Sequence, residues 1–246
     1  FPDGVKVPGL KAHTKTDPET GNWTMIATEM GPSMTLHILS RAADGRILSH
    51  VKIPSPRATY LHDFFETPRH LLVSLHAVAF SPVDFLSGLH SFTDSLSWEP
   101  DLGNLLMLVD KQDPENPRLI EAPASYMWHS LNAYEQGGSL MADFIGYATP
   151  DHFLGPDPLL KSIMTGRLAP ARHGGHLQRY VIDLANGRLQ VEQMDDTAVE
   201  FPTVHPRHAG RFNRHGFMSA SDGHNFFHNG LMVFDLEGQK ADSFFF

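Results

Sequence analysis

The sequence predicts an all-β fold whose strands pair as antiparallel hairpins. Short apolar runs recur along the chain and end at turn-forming residues. Two pairs of runs meet around an Asp-Gly or an Asn-Gly turn, the pattern typical of a β-hairpin. Eighteen prolines and twenty glycines separate the runs and do not gather into a linker. Regularly spaced antiparallel pairs favour a β-propeller or a β-sandwich over an α/β fold.

The first half of the chain contains one predicted hairpin and two further strands. Met34–Leu39 alternates in polarity, and Ile47–Ile53 returns after an Asp-Gly turn. His70–Phe80 is a long apolar run rich in β-forming residues. Asn104–Asp110 is another such run, which the proline-containing segment Asp113–Pro117 ends.

The second half contains the strongest hairpin signal. Leu177–Leu184 and Leu189–Met194 flank an Asn-Gly pair, which accepts the positive φ angles of a type I′ turn. Leu140–Ile145 is a candidate buried strand, and Leu231–Leu236 is a strand that runs into a Glu-Gly turn. Between them, Pro156–Met164 lies in the least strand-like part of the chain and is predicted to hold a short helix.

Composition indicates an ordinary folded protein and narrows the possible functions. Hydrophobic residues make up 41% and charged residues 19% of the 246 positions. The net charge of −9 and the lack of a basic stretch argue against a nucleic-acid partner. Cysteine is absent, which excludes a disulfide framework and a thiol nucleophile and suits a reducing, cytoplasmic location. No apolar stretch is long enough to span a bilayer.

The two ends of the sequence predict that it is part of a longer protein. The chain lacks an initiator methionine at Phe1 and ends at Phe246 in an apolar run that resembles a strand. We expect one β domain over residues 1–246, without a boundary inside it.

Three short segments each carry one histidine in a turn-forming or aromatic setting. They are Ala12–Gly21 with His13, Leu61–Phe64 with His62 and Trp128–Glu135 with His129. Imidazole is neutral near pH 7 and binds first-row divalent metals well. Each histidine taken alone is either a metal ligand or an ordinary surface or core residue, and the residues themselves leave both interpretations open.

Taken together, these segments and Glu200–Pro202 resemble the carotenoid cleavage oxygenase family. The first resembles the family sequence Ala-His-Pro-Lys-x-Asp-Pro-x-Thr-Gly, with Thr14 in place of proline. The second resembles Met-His-Asp-Phe, with Leu61 in place of methionine, and the third resembles Phe-His-x-x-Asn-Ala-Tyr-Glu, with Trp128 in place of phenylalanine. The fourth begins like the family's Glu-Phe-Pro-Arg stretch but departs from it at Thr203, His205 and His215.

The resemblance implies a seven-bladed β-propeller, incomplete in this chain, with iron near its axis. Four histidines hold Fe(II) in this family, and His13, His62 and His129 match three of them. Glu200 matches a carboxylate that hydrogen-bonds to a ligand imidazole, and we expect that imidazole to belong to His62. Such carboxylates orient the imidazole and partly offset the metal's charge. The fourth histidine is expected beyond Phe246.

The resemblance also implies a reaction and its partners. Family members use dioxygen to split a carbon–carbon double bond into two carbonyl products, and the substrate here is expected to be a carotenoid, an apocarotenoid or a stilbene-like alkene. Some members also contact membranes peripherally, although the sequence contains no clear patch for that purpose. The sequence does not indicate an oligomeric state. Glu135 is a weaker site candidate, equally interpretable as a structural or solvated residue.

Two other classes of protein remain open. One is a non-catalytic β-propeller that binds an apolar ligand or a protein partner and retains the histidines without a metal. The other is a zinc- or manganese-dependent hydrolase on a β scaffold, in which a carboxylate joins the metal's own ligands. Measuring the metal content would distinguish the non-catalytic propeller from the oxygenase. Identifying the metal's ligands would distinguish the hydrolase from the oxygenase.

Overall fold

The computed structural model describes residues 7–31, 33–154, 164–165, 174–223 and 227–246, and these form an almost entirely β structure. The all-β prediction is confirmed. The strands of the first half are β1 (Leu10–Thr16), β2 (Trp23–Met30), β3 (Met34–Arg41), β4 (Ile47–Pro54), β5 (Phe65–Glu66), β6 (His70–Leu75), β7 (Val78–Phe80), β8 (Leu96–Trp98) and β9 (Asn104–Asp110). Those of the second half are β10 (Asp113–Ala122), β11 (Tyr126–Gln136), β12 (Ser139–Tyr147), β13 (His176–Asp183), β14 (Leu189–Gln193), β15 (Ala198–Thr203), β16 (His215–Ser221), β17 (Gly230–Asp235) and β18 (Lys240–Phe245).

Helices in the described residues are short. One α-helix, α1, spans Pro82–Leu86, and 3₁₀ turns span Thr93–Ser95, Pro100–Leu102 and Pro206–His208. None of these helices has the length and apolarity needed to cross a membrane. The predicted helix Pro156–Met164 lies largely outside the described residues, so the structure does not test it.

The strands form four antiparallel four-stranded sheets. The first sheet contains β1 to β4, the second β5, β6, β9 and β10, the third β11 to β14, and the fourth β15 to β18, each as a simple meander. The second sheet is interrupted by an excursion that carries α1 and the small β7–β8 sheet.

The core lies between successive sheets, so the inner sheets are buried on both faces. Leu71 and Val73 of β6 pack against the first sheet, whereas Leu72 between them packs against the third. Residues that alternate along a strand point to opposite faces, so two buried faces require an almost continuous apolar run. Four sheets stacked in series are the arrangement of propeller blades and differ from a two-sheet sandwich.

The two predicted hairpins are confirmed as β3–β4 and β13–β14. The type I′ prediction for the second is wrong. Its loop has four residues, because the Asp183 N–H donates to the Arg188 carbonyl and the Gly187 N–H returns to the Asp183 carbonyl. Only Gly187 in this loop has a positive φ, of 78°, whereas a type I′ turn needs two such residues.

The predicted strand His70–Phe80 is wrong as a single element. β6 ends at Leu75 and β7 begins at Val78, in a different sheet. The chain leaves the ladder where the buried His76 donates from Nδ1 to the Ser125 carbonyl and the Ala77 N–H donates to the Asn104 side chain. The apolar run continues through the break, so hydrophobic pattern alone does not reveal it.

The predicted strand Asn104–Asp110 is confirmed as β9, and the proline-containing segment Asp113–Pro117 follows it. This segment begins β10, which pairs with β9 across an irregular register between Asp113 and Arg118. Proline is tolerated there because β10 lies at the edge of its sheet, where a missing N–H leaves no ladder bond unmade.

Candidate metal centre

Two strands and one loop each contribute one histidine to a single cluster. His13 lies on β1, His62 in the segment just before β5, and His129 on β11. Along β1 partly buried and exposed residues alternate, which places the His13 side chain on the less exposed face. The ligand nitrogens of the three imidazoles lie within 4.8 Å of one another. The structure therefore brings together the three histidines that the resemblance selected.

The rings meet edge to face. The His13 and His62 Nε2 atoms are 3.1 Å apart, and the ring centroids of His13 and His129 are separated by 4.9 Å. The centroids of His62 and His129 are 5.2 Å apart. Nitrogens that converge so closely from three directions can share one cation with small side-chain adjustments, since a metal bound by imidazoles lies about 2.0–2.1 Å from each nitrogen.

His13 and His62 are favoured in the neutral form. Burial lowers the pKa of His62 to about 4, and the neighbouring His13 and His129 add to the effect. Burial likewise lowers the pKa of His13, partly opposed by the Asp63 carboxylate. A neutral imidazole has a free lone pair, which is the form that binds a metal.

Glu200 supports this cluster through His129. The His129 Nδ1–H donates to Glu200 Oε2 at 2.6 Å, and the carboxylate is buried. With Nδ1 protonated, the lone pair of the His129 imidazole is on Nε2. The expectation that Glu200 contacts His62 is wrong, because β15 lies beside β11. The Nδ1 atom of His62 instead lies 3.4 Å from the Tyr60 hydroxyl.

An apolar cleft of about 370 Å³ adjoins the cluster. Its lining is mainly aromatic and includes residues from the third and fourth sheets: His62, Trp128, His129, Tyr147, His152, Glu200, Phe201, Phe227 and His228. Burial and the nearby Glu200 raise the pKa of Tyr147, which keeps its hydroxyl protonated. Sequence analysis missed Tyr147 and His152, since they occur in no recognisable motif and meet the cluster only through the packing of the chain.

The donor set is consistent with a first-row divalent metal. Among the residues that the structure describes, the one group able to hold a metal contains three histidines and no carboxylate. Imidazole ligands suit iron, copper, nickel and zinc, and a carboxylate bound to the far nitrogen of a ligand imidazole is a common supporting arrangement. That these three histidines hold a metal stays a prediction.

Glu135 is not part of this cluster. Its Oε1 atom accepts hydrogen bonds from Thr67 Oγ1 at 2.5 Å and from His70 Nδ1 at 2.9 Å, which joins the third sheet to the second. The structural interpretation of this residue is the one the contacts favour.

Comparison with known proteins gives one matching family and several enzyme relatives. The sequence profile of the family "Retinal pigment epithelial membrane protein" matches residues 3–246. The apocarotenoid-15,15'-oxygenase of Synechocystis is 28% identical over 86% of this chain and 43% of its own length. The isoeugenol monooxygenase of Pseudomonas nitroreducens is 27% identical over the same shares, and the lignostilbene-alpha,beta-dioxygenase isozyme III of Sphingomonas paucimobilis is 26% identical over 88% and 44%.

Solved structures agree with the fold. Cobalt-substituted Synechocystis apocarotenoid oxygenase superimposes with a TM-score of 0.86 at 25% identity, over 96% of this chain and 50% of that protein. A variant of the same oxygenase superimposes with a TM-score of 0.87 at 24% identity, over 98% and 51%. The likeness confirms the β-propeller class. The chain spans less than half the length of these curated relatives.

Proposed function

Because the chain belongs to the retinal pigment epithelial membrane protein family, we propose that it forms part of a non-haem Fe(II) dioxygenase. The reaction is oxidative cleavage of a carbon–carbon double bond to two carbonyl products, with dioxygen as co-substrate. The substrate is a carotenoid, an apocarotenoid or a stilbene-like alkene. Relatives named as apocarotenoid and lignostilbene oxygenases support both substrate classes.

The observation that carries this proposal is that three imidazoles converge with no carboxylate among them in the part of the chain that the structure describes. His13, His62 and His129 would hold the iron, which when bound supplies the site for dioxygen activation. The histidine-only set favours an oxygenase over the hydrolase alternative, which would place a carboxylate among the ligands. Glu200 holds the His129 tautomer in the form that directs Nε2 toward the other two histidines.

The cleft beside the cluster is suited to binding the alkene substrate. Its aromatic walls can enclose an apolar alkene beside the cluster, and excluding water there protects reactive species. Trp128 forms part of this wall and packs its indole edge to face against His62, with centroids 4.7 Å apart. The same contact limits rotation of the His62 ring.

Metal content tests the proposal directly. Protein purified without added metal should contain near-stoichiometric iron by elemental analysis, and His62→Ala should abolish it. His37→Ala is the matched control, because His37 is also buried but hydrogen-bonds to Glu29 and His50, away from the cluster. Absence of iron from the unaltered chain, or equal iron in the His62→Ala variant, would contradict the proposal and favour the non-catalytic propeller.

Iron-loaded protein then identifies the substrate class. An apocarotenal and a hydroxylated stilbene are incubated with the protein in air, and carbonyl products are measured by mass spectrometry. Cleavage of either alkene that disappears with His62→Ala supports the reaction. Iron binding with no cleavage of either compound would contradict the proposed substrate classes for this chain.

Peripheral membrane contact is part of the same proposal, and a group of exposed apolar side chains on the excursion of the second sheet supports it. Leu86 and Leu89, in and just after α1, are 81% and 85% exposed, and Val83 beside them is exposed too. Phe92 connects this excursion to Tyr60, with ring centroids 5.8 Å apart. An apolar surface near the cleft suits entry of a substrate dissolved in lipid.

Co-sedimentation with phosphatidylcholine vesicles tests that contact. Replacing Leu86 and Leu89 together by aspartate should reduce the bound fraction severalfold, whereas Leu48→Asp on the first sheet should not. Equal binding by both variants would contradict the assignment of the patch. The cytoplasmic location remains a proposal, for which localisation of a tagged chain is the check.

A further inference from the structure

A buried polar network lies next to the histidine cluster and contains none of the three histidines. Asp63 is its centre and is 2% exposed. Its Oδ1 atom accepts from Lys15 Nζ at 2.8 Å, and its Oδ2 atom accepts from the Ser130 N–H at 2.8 Å and from Ser130 Oγ at 2.7 Å. Lys15 Nζ also donates to Ser130 Oγ at 2.8 Å, which closes the network.

Each member of this network is a chain neighbour of one histidine. Lys15 is two residues after His13 on β1, and therefore on the same face of that strand. Asp63 directly follows His62, and Ser130 directly follows His129. The network thus joins the three chain segments that carry the cluster, which are β1, the loop before β5, and β11.

The local backbone of β11 makes this contact available. Its register with β12 is irregular on both sides of Ser130. Such bulges free an N–H from the ladder and redirect neighbouring side chains. Here the freed Ser130 N–H points to Asp63.

Stability alone does not account for the network. Burying the Asp63 carboxylate removes it from water, and this cost offsets much of its attraction to the partly exposed Lys15 ammonium. A satisfied buried network does supply a fixed geometry, because each group has one arrangement in which all its partners are met.

We propose that Lys15, Asp63 and Ser130 are positioning residues that hold His13, His62 and His129 at metal-binding distance. This inference rests on the proposed metal centre and adds to it the groups that set its dimensions. It assigns the Lys, Asp and Ser of the three histidine segments to one joint role.

Binding of Co(II), followed through its visible absorption, tests the inference without any need for turnover. Co(II) is titrated into metal-free protein, and band positions report the geometry of its ligands. The variants are Asp63→Asn, which keeps the shape but not the charge, and Lys15→Met, which removes the ammonium. Lys15 is partly exposed, so its variant serves if Asp63→Asn does not fold by circular dichroism.

Asp143→Asn is the matched control. Asp143 is buried and pairs with Arg179 at 2.6 and 2.9 Å across β12 and β13, away from the cluster. Asp143 lies opposite Asn132 of β11 in the ladder, but its carboxylate pairs with Arg179, so loss of this pair lowers stability without removing a hydrogen bond of the network.

The expected result is about tenfold weaker Co(II) binding and shifted absorption bands in Asp63→Asn and Lys15→Met, with an unchanged spectrum in Asp143→Asn. Unchanged affinity and bands in both network variants, while His62→Ala abolishes binding, would overturn the inference and leave the metal centre intact. Equal changes in the Asp143→Asn control would also overturn it. Failure of the unaltered chain to bind Co(II) would overturn the metal centre and the inference together.

Discussion

Phe201 combines a left-handed backbone with an exposed aromatic ring. Its φ is 52°, a region that bulky residues rarely adopt, and its side chain is 69% exposed. The ring lies against His129, with centroids 5.4 Å apart, and the N–H donates to the preceding Glu200 carboxylate. A bulge between Glu200 and Thr203 accommodates this conformation. Strain here therefore accompanies the placement of both Glu200 and the Phe201 ring at the cleft.

Glycine should relieve the strain at Phe201, whereas alanine should not. Both substitutions remove the ring, but a left-handed conformation costs an L-residue about 1–2 kcal/mol that glycine avoids. We expect Phe201→Gly to exceed Phe201→Ala in free energy of unfolding by about 1 kcal/mol, measured by urea denaturation. The same pair at Phe217, an exposed strand residue without positive φ, is the control and should favour alanine. Equal stability of the two Phe201 variants would show that the strain is absent.

His76 is a buried histidine outside the cluster. Its Nδ1–H donates to the Ser125 carbonyl at 3.0 Å, and its Nε2 atom has no hydrogen-bond partner among the described residues. Burial lowers the pKa of His76 to about 4, although the Ser125 carbonyl opposes the shift. A proton on this imidazole is therefore disfavoured in the folded chain.

Mild acid should destabilise the fold through His76. Between pH 6.5 and pH 4 the unfolded chain takes up a proton that the folded chain does not, so the stability present above pH 6.5 falls as pH falls, by roughly 3 kcal/mol from this group. Urea denaturation at several pH values should show a shallower decline for His76→Gln than for the unaltered chain. His215→Gln, at an exposed position, should keep the original slope. If the stability of His76→Gln falls with pH as steeply as that of the unaltered chain, His76 is not the cause of the decline.

At the scale of elements, three hairpins share one loop built on an aspartate. Asp17, Asp183 and Asp235 each accept backbone N–H bonds from the second and third residues after them. The fourth residue in each loop has a positive φ: Gly21 at 69°, Gly187 at 78° and Gln239 at 49°. Sequence comparison reveals no exact repeat, because only the aspartate and this backbone conformation are shared.

Substitutions at the fourth position of this loop should raise the stability when they introduce glycine and lower it when they remove glycine. Gln239→Gly removes a left-handed glutamine and should raise the free energy of unfolding by about 0.5–1 kcal/mol. Gly187→Ala should lower it by about 1 kcal/mol, since the new Cβ would also lie 3.1 Å from Arg118 Cδ. Thermal unfolding measures both, with Gly137→Ala as a comparison at a positive φ without neighbouring atoms. A stability loss in Gln239→Gly would contradict the shared-loop interpretation.

The Asn-Ala-Tyr-Glu segment shows how far a motif predicts structure. The segment was singled out because it resembles a family motif, but its Asn132 and Glu135 side chains hold neighbouring sheets together and do not contact the histidine cluster. Asn132 binds the loop after β15 through the His208 and Arg211 carbonyls and Asn213 Oδ1, and Glu135 binds the second sheet. The motif therefore fastens the third sheet to both neighbours, a role that depends on non-local partners invisible in the sequence.

At the scale of the whole molecule, local patterns predicted the strand content and missed the sheet connections. Apolar runs such as Asn104–Asp110 are explained by sheets buried on both faces. The prediction that Glu200 contacts His62 is wrong because the order of the strands along the chain does not reveal which strands pack side by side. The Glu200 carboxylate accepts a hydrogen bond from His129 and not from His62, because the third and fourth sheets are neighbours.

The fourth sheet buries one face and exposes the other. Met232 and Phe234 pack against the third sheet. Phe217, Leu231 and Phe244, on the opposite face, are exposed, and Leu231 pairs directly with Phe244 across β17 and β18. β18 is also an edge strand with free backbone groups. An apolar face beside an open edge is a common site of self-association.

The isolated chain should associate through this face as its concentration rises. Replacing Leu231 and Phe244 by serine removes apolar area without disturbing the buried face, so the weight-average mass in size-exclusion light scattering should fall toward the 27.4 kDa of one chain. Leu48→Ser, an isolated exposed leucine on the first sheet, should leave the mass unchanged. A mass that stays high in the double variant would assign association to the β18 edge instead, because backbone pairing there does not require these side chains. A monomeric unaltered chain at high concentration would contradict the prediction outright.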